Sequence, residues 1–206
     1  PGSALTFAIV IEAVGFVWLW ALVNLLSALL ALGACLFYVF VYTLWLKRTN
    51  TQNIVIGGAA GAAPVLIGWS AVTDSLSWSA VALFGVVFFW TPPHFWALAI
   101  RYSEDYSSVD VPMLPSVASM RSTTNQMLAH TVALVACSFL FGVTESMGAI
   151  YWIGAVLSGA AFVGLTWRVR RTGEAADAMK LFHFSITYLT LLFVVMALDV
   201  LVRFGV

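Results

Sequence analysis

Charged residues are scarce in this chain of 206 residues. Only 9% of its residues are Asp, Glu, Lys or Arg, whereas 62% are hydrophobic and 15% are aromatic. A soluble domain carries about 25% charged residues, so this composition excludes an ordinary water-soluble fold. The nine basic and nine acidic residues cancel. Because neither sign is in excess, the composition predicts no nucleic-acid partner and no acidic, solvated tail.

Cysteine is also scarce. Cys35 and Cys137 are the only two, and each lies inside an apolar run. Such isolated cysteines are typical of packed thiols, because a disulfide framework or a cysteine metal site needs several cysteines at short spacings. Any chemistry must therefore depend on a small number of other polar residues.

Six apolar runs are long enough to cross a bilayer, whose hydrocarbon core needs about 20 residues of helix, and the first is about twice that length. Asn24 divides the first run into two spans, because its amide can satisfy the backbone of a tight turn. The sequence therefore predicts an all-α, polytopic membrane bundle that forms one transmembrane domain over residues 1–206. The predicted spans cover residues 4–23, 25–46, 54–72, 78–100, 127–143, 147–167 and 181–202.

The basic residues lie almost entirely in alternate connections between these spans. All of them except Arg203 fall within residues 47–53, 101–123 and 168–180. Cytoplasmic connections of membrane proteins retain an excess of Lys and Arg. The pattern therefore predicts that these three connections are cytoplasmic and that the chain lies in the cell (inner) membrane.

Residues 89–115 join a proline-containing span to a loop rich in carboxylates. Pro92 and Pro93 remove two backbone N–H groups, which predicts a break or bend in the span. The loop's acids suit Mg²⁺, which uses one or two carboxylates and leaves its other positions to water and substrate phosphates. A solvated loop explains the same acids equally well. The candidate metal ligands are Glu104, Asp105 and Asp110.

The preceding connection, residues 47–53, is rich in cationic and amide donors. Lys47, Arg48 and Asn53 could hold phosphate oxygens, as Arg101 could from the later loop. An ordinary positive-inside anchor explains the basic residues without any ligand. Because donors and carboxylates share one side of the predicted membrane, a diphosphate site becomes a reasonable hypothesis.

A few polar residues lie within the spans. His94 follows the proline pair and could face a substrate cavity or pack as a hydrogen-bonded histidine, whereas His130 and His183 favour structural roles. Glu12 and Asp199 leave a proton relay open. The aromatic residues near His94 could wall a prenyl tunnel and shield a carbocation, although core packing is the more usual role of such residues.

The block around His94 resembles one known family. With its flanking motifs it is similar to the protoheme IX farnesyltransferases, or haem O synthases, of the UbiA superfamily of intramembrane prenyltransferases. The resemblance extends over nearly the whole chain. It is carried by Tyr42, Thr43, Leu46, Lys47, Arg48, Thr49, residues 53–58, Gly68, Trp69, residues 90–100, Asp105, Tyr106, residues 111–115, Lys180, Leu181, Phe182, Ser185, Tyr188, Leu189 and Asp199.

The resemblance implies transfer of the farnesyl group of farnesyl diphosphate to the 2-vinyl group of haem B, with addition of water, to give haem O and diphosphate. Mg²⁺ is the implied cofactor, and the lipid bilayer is the implied surrounding. By the same resemblance His94 contacts haem or accepts a proton. The other implied site residues are Asp105 with Tyr106 and Arg101 for metal and diphosphate, Glu104 and Asp110 as further metal ligands, and Tyr42, Lys47, Arg48 and Asn53 for substrate.

The chain departs from that family in two respects. By this resemblance, family members have about nine spans and two acidic motifs, the first of which is a cluster of Asn and Asp between the second and third helices. This sequence has seven predicted spans and no such cluster. It also begins at Pro1 without an initiator Met or a leader pattern, so we expect a C-terminal part of a longer parent. Asp110 occupies a position where the family has a small residue.

Two alternatives remain open from the sequence. One is a different UbiA-type prenyltransferase that acts on a quinone or chlorophyll precursor. The other is a haem-handling membrane transporter, which would use His94, Glu12 and Asp199 along a translocation path. Transporters often contain a pair of broken helices in two symmetric halves, whereas this sequence has only one obvious proline pair.

Overall fold

A computed structural model describes residues 2–103 and 112–205, and nearly all of these residues are helical. Within them, seven helical segments are long and apolar enough to cross a membrane, which confirms the predicted all-α, multi-pass architecture. The elements are α1 Gly2–Leu22, α2 Leu25–Leu36, the π-helix π1 Phe37–Leu46, α3 Lys47–Thr49, α4 Asn53–Thr73, α5 Trp78–Arg101, α6 Leu114–Val117, α7 Met120–Thr144, α8 Ala149–Thr172 and α9 Ala175–Phe204. One of the seven segments, Leu25–Thr49, comprises the three consecutive elements α2, π1 and α3.

Helix α5 lies at the centre of the bundle. It packs against α7 and α9, and α8 completes a four-helix group by contacting both of these. On the other side α4 packs against α5, α2 against α4, and α1 against α2. The core of the four-helix group contains the fully buried side chains of Trp96, Phe162 and Tyr188. Consequently α5 presents residues both to this core and to the surface between α4 and α9.

Polar contacts bring several helix ends together at one end of the bundle. Gln52 at the start of α4 donates from Nε2 to Oε1 of Gln126 in α7, at 3.1 Å. Arg170 in α8 donates from Nε to Oδ1 of Asn125 in α7, at 2.6 Å. We call this the basic end, because the helices and connections that meet there carry Lys47, Arg48, Arg101, Arg121, Arg168, Arg170, Arg171 and Lys180.

Asn24 and Asp199 stabilise the opposite end. Asn24 caps α2 by accepting a hydrogen bond from the Ser27 N–H, as the sequence predicts, and its Nδ2 atom donates to the Ser70 carbonyl at 2.7 Å. The buried carboxylate of Asp199 accepts from the backbone N–H groups of Gly148 and Tyr151. These are groups at the start of α8 that the helix itself leaves unpaired.

The span predicted over residues 78–100 is confirmed, but it has no break at Pro92 and Pro93, and the alternative of a bend there stays a prediction. Helix α5 is uninterrupted from Trp78 to Arg101, and both prolines are buried within it. Membrane helices tolerate proline where neighbouring helices support the backbone, and α5 is packed by α4, α7 and α9. The prolines therefore lie inside the support of the bundle and do not end the span.

Several helices also extend beyond the predicted apolar runs. Helix α7 begins at Met120 and not near residue 127, because the Ser119 hydroxyl caps it by accepting from the Ser122 N–H. Helix α8 continues to Thr172, and α9 begins at Ala175. Hydropathy registers only the apolar part of a helix, so the polar turns at the basic end were not predicted.

Candidate active site

The connection at residues 47–53 places a buried amide beside exposed cations. Lys47 and Arg48 are exposed, whereas Asn53 is only 1% exposed. The Asn53 Nδ2 atom donates to the Lys47 carbonyl at 3.2 Å, which fixes the orientation of the amide. Its Oδ1 atom is buried and has no hydrogen-bond partner among the described residues. This oxygen is therefore available to a group that donates a hydrogen bond.

Arg101 lies in the last turn of α5, at the same end of the bundle. It is exposed, and its guanidinium lies 5.8 Å from the ring centroid of Tyr102. The predicted acidic residues Glu104, Asp105 and Asp110, together with Tyr106, lie outside the described residues. Elsewhere in the chain, across residues 2–103 and 112–205, no three His, Cys, Asp or Glu side chains come together as a metal site.

His94 is held between two aromatic rings. Its ring is stacked on Trp90 of the same helix, with centroids 4.2 Å apart and an angle of 17°. On the other face it is stacked on Phe182 of α9, with centroids 4.6 Å apart and an angle of 23°. The side chain therefore has a fixed ring plane, which a loosely packed surface histidine would lack.

A hydrogen bond to α9 also determines which nitrogen of His94 carries the proton. The His94 Nδ1 atom lies 2.7 Å from the Ser185 Oγ atom. The Ser185 hydroxyl has one proton, which it donates to the Phe182 carbonyl at 2.6 Å. Ser185 Oγ must therefore accept from His94 Nδ1–H. In the neutral ring this leaves Nε2 as the acceptor.

Two cavities lie on either side of Trp90. The first cavity has a volume of about 630 Å³ and lies between α2, π1, α4 and α5, where Tyr42 and Gly57 are among its lining residues. The second cavity, of about 350 Å³, lies between α5 and α9 and is lined by His94 and Phe182. Trp90 lines the first and the second cavity, so its indole forms a wall that the two cavities share.

A third cavity extends toward the opposite end of the bundle. It has a volume of about 860 Å³ and is lined mainly by apolar residues of α4 and α9. Phe193 lines both the second and the third cavity. The three cavities therefore adjoin along one face of α5, with His94 in the middle one.

Tyr42 lies where the π-helix meets α4. A Cβ atom at Gly57 would overlap the Tyr42 ring, so this close approach requires glycine. The Tyr38 ring lies 5.3 Å from the Tyr42 ring and also lines the first cavity. Short π-helical segments are frequent at functional sites, and this one aims two tyrosines at a cavity.

His130, His183 and Asp199 have structural partners. Nδ1 of His130 lies 2.8 Å from the Gln126 carbonyl, and Nδ1 of His183 lies 2.7 Å from the Met179 carbonyl. Their predicted structural roles agree with these contacts within a single helix. Asp199 is committed to its backbone hydrogen bonds and to Arg203, 3.6 Å away, which leaves it unsuited to a proton relay.

Sequence reasoning missed several residues around these cavities. Ser185 and Phe182 were noticed only as part of the family resemblance, although they orient His94 from α9. Only the three-residue spacing of Phe182 and Ser185, which puts them on one helix face, could have indicated a shared role.

Comparison with known proteins gives consistent matches along the chain. The model of the UbiA prenyltransferase family matches residues 1–196. A protoheme IX farnesyltransferase of Frankia casuarinae is 56% identical over 205 residues, which are 98% of this chain and 71% of that protein. The protein named protoheme IX farnesyltransferase 1 of Saccharopolyspora erythraea is 54% identical over 200 residues, which are 96% of this chain and 64% of that protein.

A more distant relative, the protoheme IX farnesyltransferase of Mycobacterium avium, is 46% identical over 200 residues, 96% of this chain and 64% of that protein. The chain thus spans 71% of the first of these three relatives and less than two thirds of the other two. No solved structure matches the chain significantly. The matches confirm the resemblance drawn from the sequence.

Proposed function

Because the chain belongs to the UbiA prenyltransferase family, we propose that it transfers the farnesyl group of farnesyl diphosphate to the 2-vinyl group of haem B. The products are haem O and diphosphate. The names of the relatives support this choice of substrates, since all three are protoheme IX farnesyltransferases. Where these residues form part of a longer protein, the proposal applies to that protein.

The reaction breaks the farnesyl C1–oxygen bond, the π bond of the vinyl group and one O–H bond of water, and it forms one C–C bond and one C–O bond. The bond between farnesyl C1 and the diphosphate oxygen breaks, and the electron pair leaves with diphosphate. Farnesyl C1 then bonds to the outer vinyl carbon, water supplies a hydroxyl group to the inner vinyl carbon, and one proton is released. The site must therefore stabilise a departing anion, protect a cation from premature attack and accept a proton.

The observation that carries the proposal is the pair of cavities on either side of Trp90. One is an apolar space that begins beside the basic end, and the other contains a histidine with an ordered ring. Such a pair can hold two apolar substrates with their reacting groups at the shared wall. The Trp90 indole is then well placed to face the allylic cation, since aromatic faces attract cations.

Departure of diphosphate requires positive charge and hydrogen-bond donors at the basic end. Lys47, Arg48 and Arg101 supply cationic donors for phosphate oxygens. The Asn53 amide is held by the Lys47 carbonyl, and we assign its buried oxygen to a donor in the bound diphosphate complex, such as a coordinated water. Charge fixed in advance at this end lowers the cost of the charge that grows as the bond breaks.

Carboxylates of the following loop suit a divalent cation. Glu104, Asp105 and Asp110 are the oxygen donors that Mg²⁺ prefers, and Asp105 is the first candidate, with Tyr106 beside it. When bound, Mg²⁺ neutralises charge on the diphosphate. Among these acids Asp110 is the weakest candidate, because the family resemblance places a small residue there.

His94 serves the haem side of the reaction. Ser185 holds its Nδ1 proton, so the neutral ring offers Nε2 as a base or as a contact to haem. The stacked rings of Trp90 and Phe182 hold that nitrogen in one orientation. A fixed base in a dry site can accept the proton released when water adds to the vinyl group.

The distribution of charge supports a location and an orientation. We assign the chain to the cell (inner) membrane as one transmembrane domain, with residues 47–53, 101–123 and 168–180 on the cytoplasmic side. In that orientation the basic end takes farnesyl diphosphate from the cytoplasm, and the apolar cavities lie at the depth of the bilayer. Haem B, farnesyl diphosphate and lipid are the expected partners, and nucleic acid is not.

Acceptor competition tests the proposal. The protein in lipid nanodiscs is incubated with farnesyl diphosphate, Mg²⁺, haem B and an aromatic quinone precursor, and the products are identified by mass. The proposal predicts farnesylated, hydrated haem. Prenylation of the quinone precursor alone would assign the chain to another branch of the family, and haem movement across the membrane without diphosphate release would favour a transporter.

A further inference from the structure

The first cavity is a slot with a defined depth. Tyr42, Ile54 and Phe95 line it near the basic end, and Ala34, Gly61 and Val87 line it farther into the bundle. Along α5, the eight residue steps from Val87 to Phe95 rise about 12 Å, and the seven steps from Ile54 to Gly61 along α4 rise about 10 Å. The depth of the slot is therefore about two turns of helix.

This depth can be compared with a prenyl chain. Three covalent bonds between successive Cα atoms span 3.8 Å, so the four bonds of an isoprene unit span about 5 Å. The slot therefore takes between two and three isoprene units below the basic end. In the first turn of α4, Ile54 lines the slot. Its neighbour in the chain, Asn53, has the buried oxygen without a partner among the described residues.

Three glycines of α4 line the slot, and they differ in what a side chain would meet. A Cβ atom at Gly57 would overlap the Tyr42 ring, and one at Gly58 would lie 3.3 Å from Thr91 side-chain atoms. A Cβ atom at Gly61 has no such neighbour within 4 Å. Gly61 is thus the position of the three where the slot is open only because the side chain is missing.

We propose that Gly61 sets the length of the prenyl chain that the protein accepts, by leaving the deep end of the first cavity open. This rests on the proposed prenyltransferase function and adds to it the residue that selects among diphosphates of different chain length. A side chain at this position occupies the space of the last isoprene unit. The shorter geranyl chain still fits, because the part of the slot nearer the basic end is unchanged.

The test compares farnesyl and geranyl diphosphate in the Gly61→Phe protein. The ratio of kcat/KM for farnesyl to that for geranyl should fall by at least about tenfold, since each methylene excluded from an apolar site alters discrimination severalfold. Gly61→Ala should give a smaller fall in the same direction. Gly164→Phe is the matched control, because Gly164 is also an exposed mid-helix glycine with an open Cβ position, and it lines none of the three cavities.

A second variant tests the slot in case Gly61→Phe does not fold, and a binding measurement tests chain-length preference without turnover. Ala34→Phe fills the deep end from the opposite wall and should shift the ratio in the same direction. Calorimetry with the unreactive farnesyl and geranyl thiodiphosphates reports chain length without catalysis. If the unaltered protein binds both analogues but makes no haem O, the proposed function fails while the chain-length test still proceeds.

Two results would overturn the role of Gly61. One is a folded Gly61→Phe or Ala34→Phe protein that keeps the preference of the unaltered protein for the farnesyl chain. The other is an equal loss of affinity for both thiodiphosphates in these variants. A shift that appears equally in Gly164→Phe would have the same meaning, because it would not depend on the slot.

Discussion

The His94 Nδ1 atom and the Ser185 Oγ atom lie 2.7 Å apart, although 91 residues separate them in the chain. Because the Ser185 hydroxyl donates to the Phe182 carbonyl, Ser185 can only accept from the imidazole. The contact fixes the tautomer of His94 and joins α5 to α9 beside the second cavity. It therefore determines which nitrogen can act on a substrate.

Replacing Ser185 tests this assignment. Ser185→Ala leaves Nδ1–H without its acceptor, so haem O formation should fall by about tenfold, a typical loss when the group that orients a functional histidine is removed. Ser185→Thr retains a hydroxyl and should restore most of the activity. Ser158→Ala, which removes a hydroxyl that donates to the Gly154 carbonyl in α8, is the control. Equal losses in the two alanine variants would contradict the role.

Replacing His94 itself should have a larger effect. His94→Phe keeps a ring between Trp90 and Phe182 but removes both nitrogens, and turnover should fall by about a hundredfold or more if the ring accepts a proton. His183→Phe is the control, because His183 is exposed and bonds only within α9. Melting temperatures measured in detergent should be similar for both variants. Full activity of His94→Phe would remove His94 from the mechanism.

The fold can be predicted from the sequence more completely than this site can. Apolar runs predict seven spans because each predicted span is about as long as a bilayer requires, and recognising the runs needs no knowledge of which helices pack together. The ends were harder, since Ser119 starts α7 through a local cap that hydropathy does not register. The sequence leaves two interpretations of His94 open, a residue of a substrate cavity or a packing residue. Its partners Phe182 and Ser185 belong to another helix, and their arrangement depends on how the helices pack.

The proline pair also shows that packing between helices can override a prediction made from local sequence. Pro92 and Pro93 predict a break from local chemistry, yet α5 continues because the bundle supports it on several sides. Tertiary packing decided the outcome. The acidic loop stays a prediction, since Glu104, Asp105 and Asp110 lie outside the described residues.

Asn53 provides a test of diphosphate binding in the described part of the chain. Asn53→Ala removes the buried oxygen that we assign to a donor such as a coordinated water, and it should raise KM for farnesyl diphosphate by about tenfold, the effect of losing one hydrogen bond within a charged complex. Asn50→Ala is the control, because Asn50 is exposed and its side-chain Oδ1 atom accepts a hydrogen bond from the Gln52 N–H in the turn. An unchanged KM in Asn53→Ala would place the diphosphate elsewhere.

Asp199 should matter for stability and not for turnover. Asp199→Ala removes the acceptor for Gly148 and Tyr151 and should cost about 1–2 kcal/mol in the free energy of unfolding, as loss of a helix cap does. Denaturant titration in detergent measures this cost. Glu145→Ala is the control, since Glu145 is an exposed acidic residue at the same end of the bundle. A stable Asp199→Ala protein with abolished turnover would instead support a proton relay.

Gly57 should be intolerant of a side chain. Gly57→Ala forces the Tyr42 ring to move, and overpacking of this kind costs about 1–3 kcal/mol. Gly33→Ala is the control, because a Cβ atom there has no neighbour within 4 Å outside its own helix. Thermal melting of the two variants separates the expectations. Equal stability would show that the π-helix adapts without cost.

The mass of the haem product tests the central claim most directly. The protein in nanodiscs is given haem B, farnesyl diphosphate and Mg²⁺, and haem and released diphosphate are measured together. We expect haem that has gained one farnesyl group and one water, with one diphosphate released for each, and loss of both signals in Asp105→Ala. Unmodified haem, or full product formation in Asp105→Ala, would contradict the account.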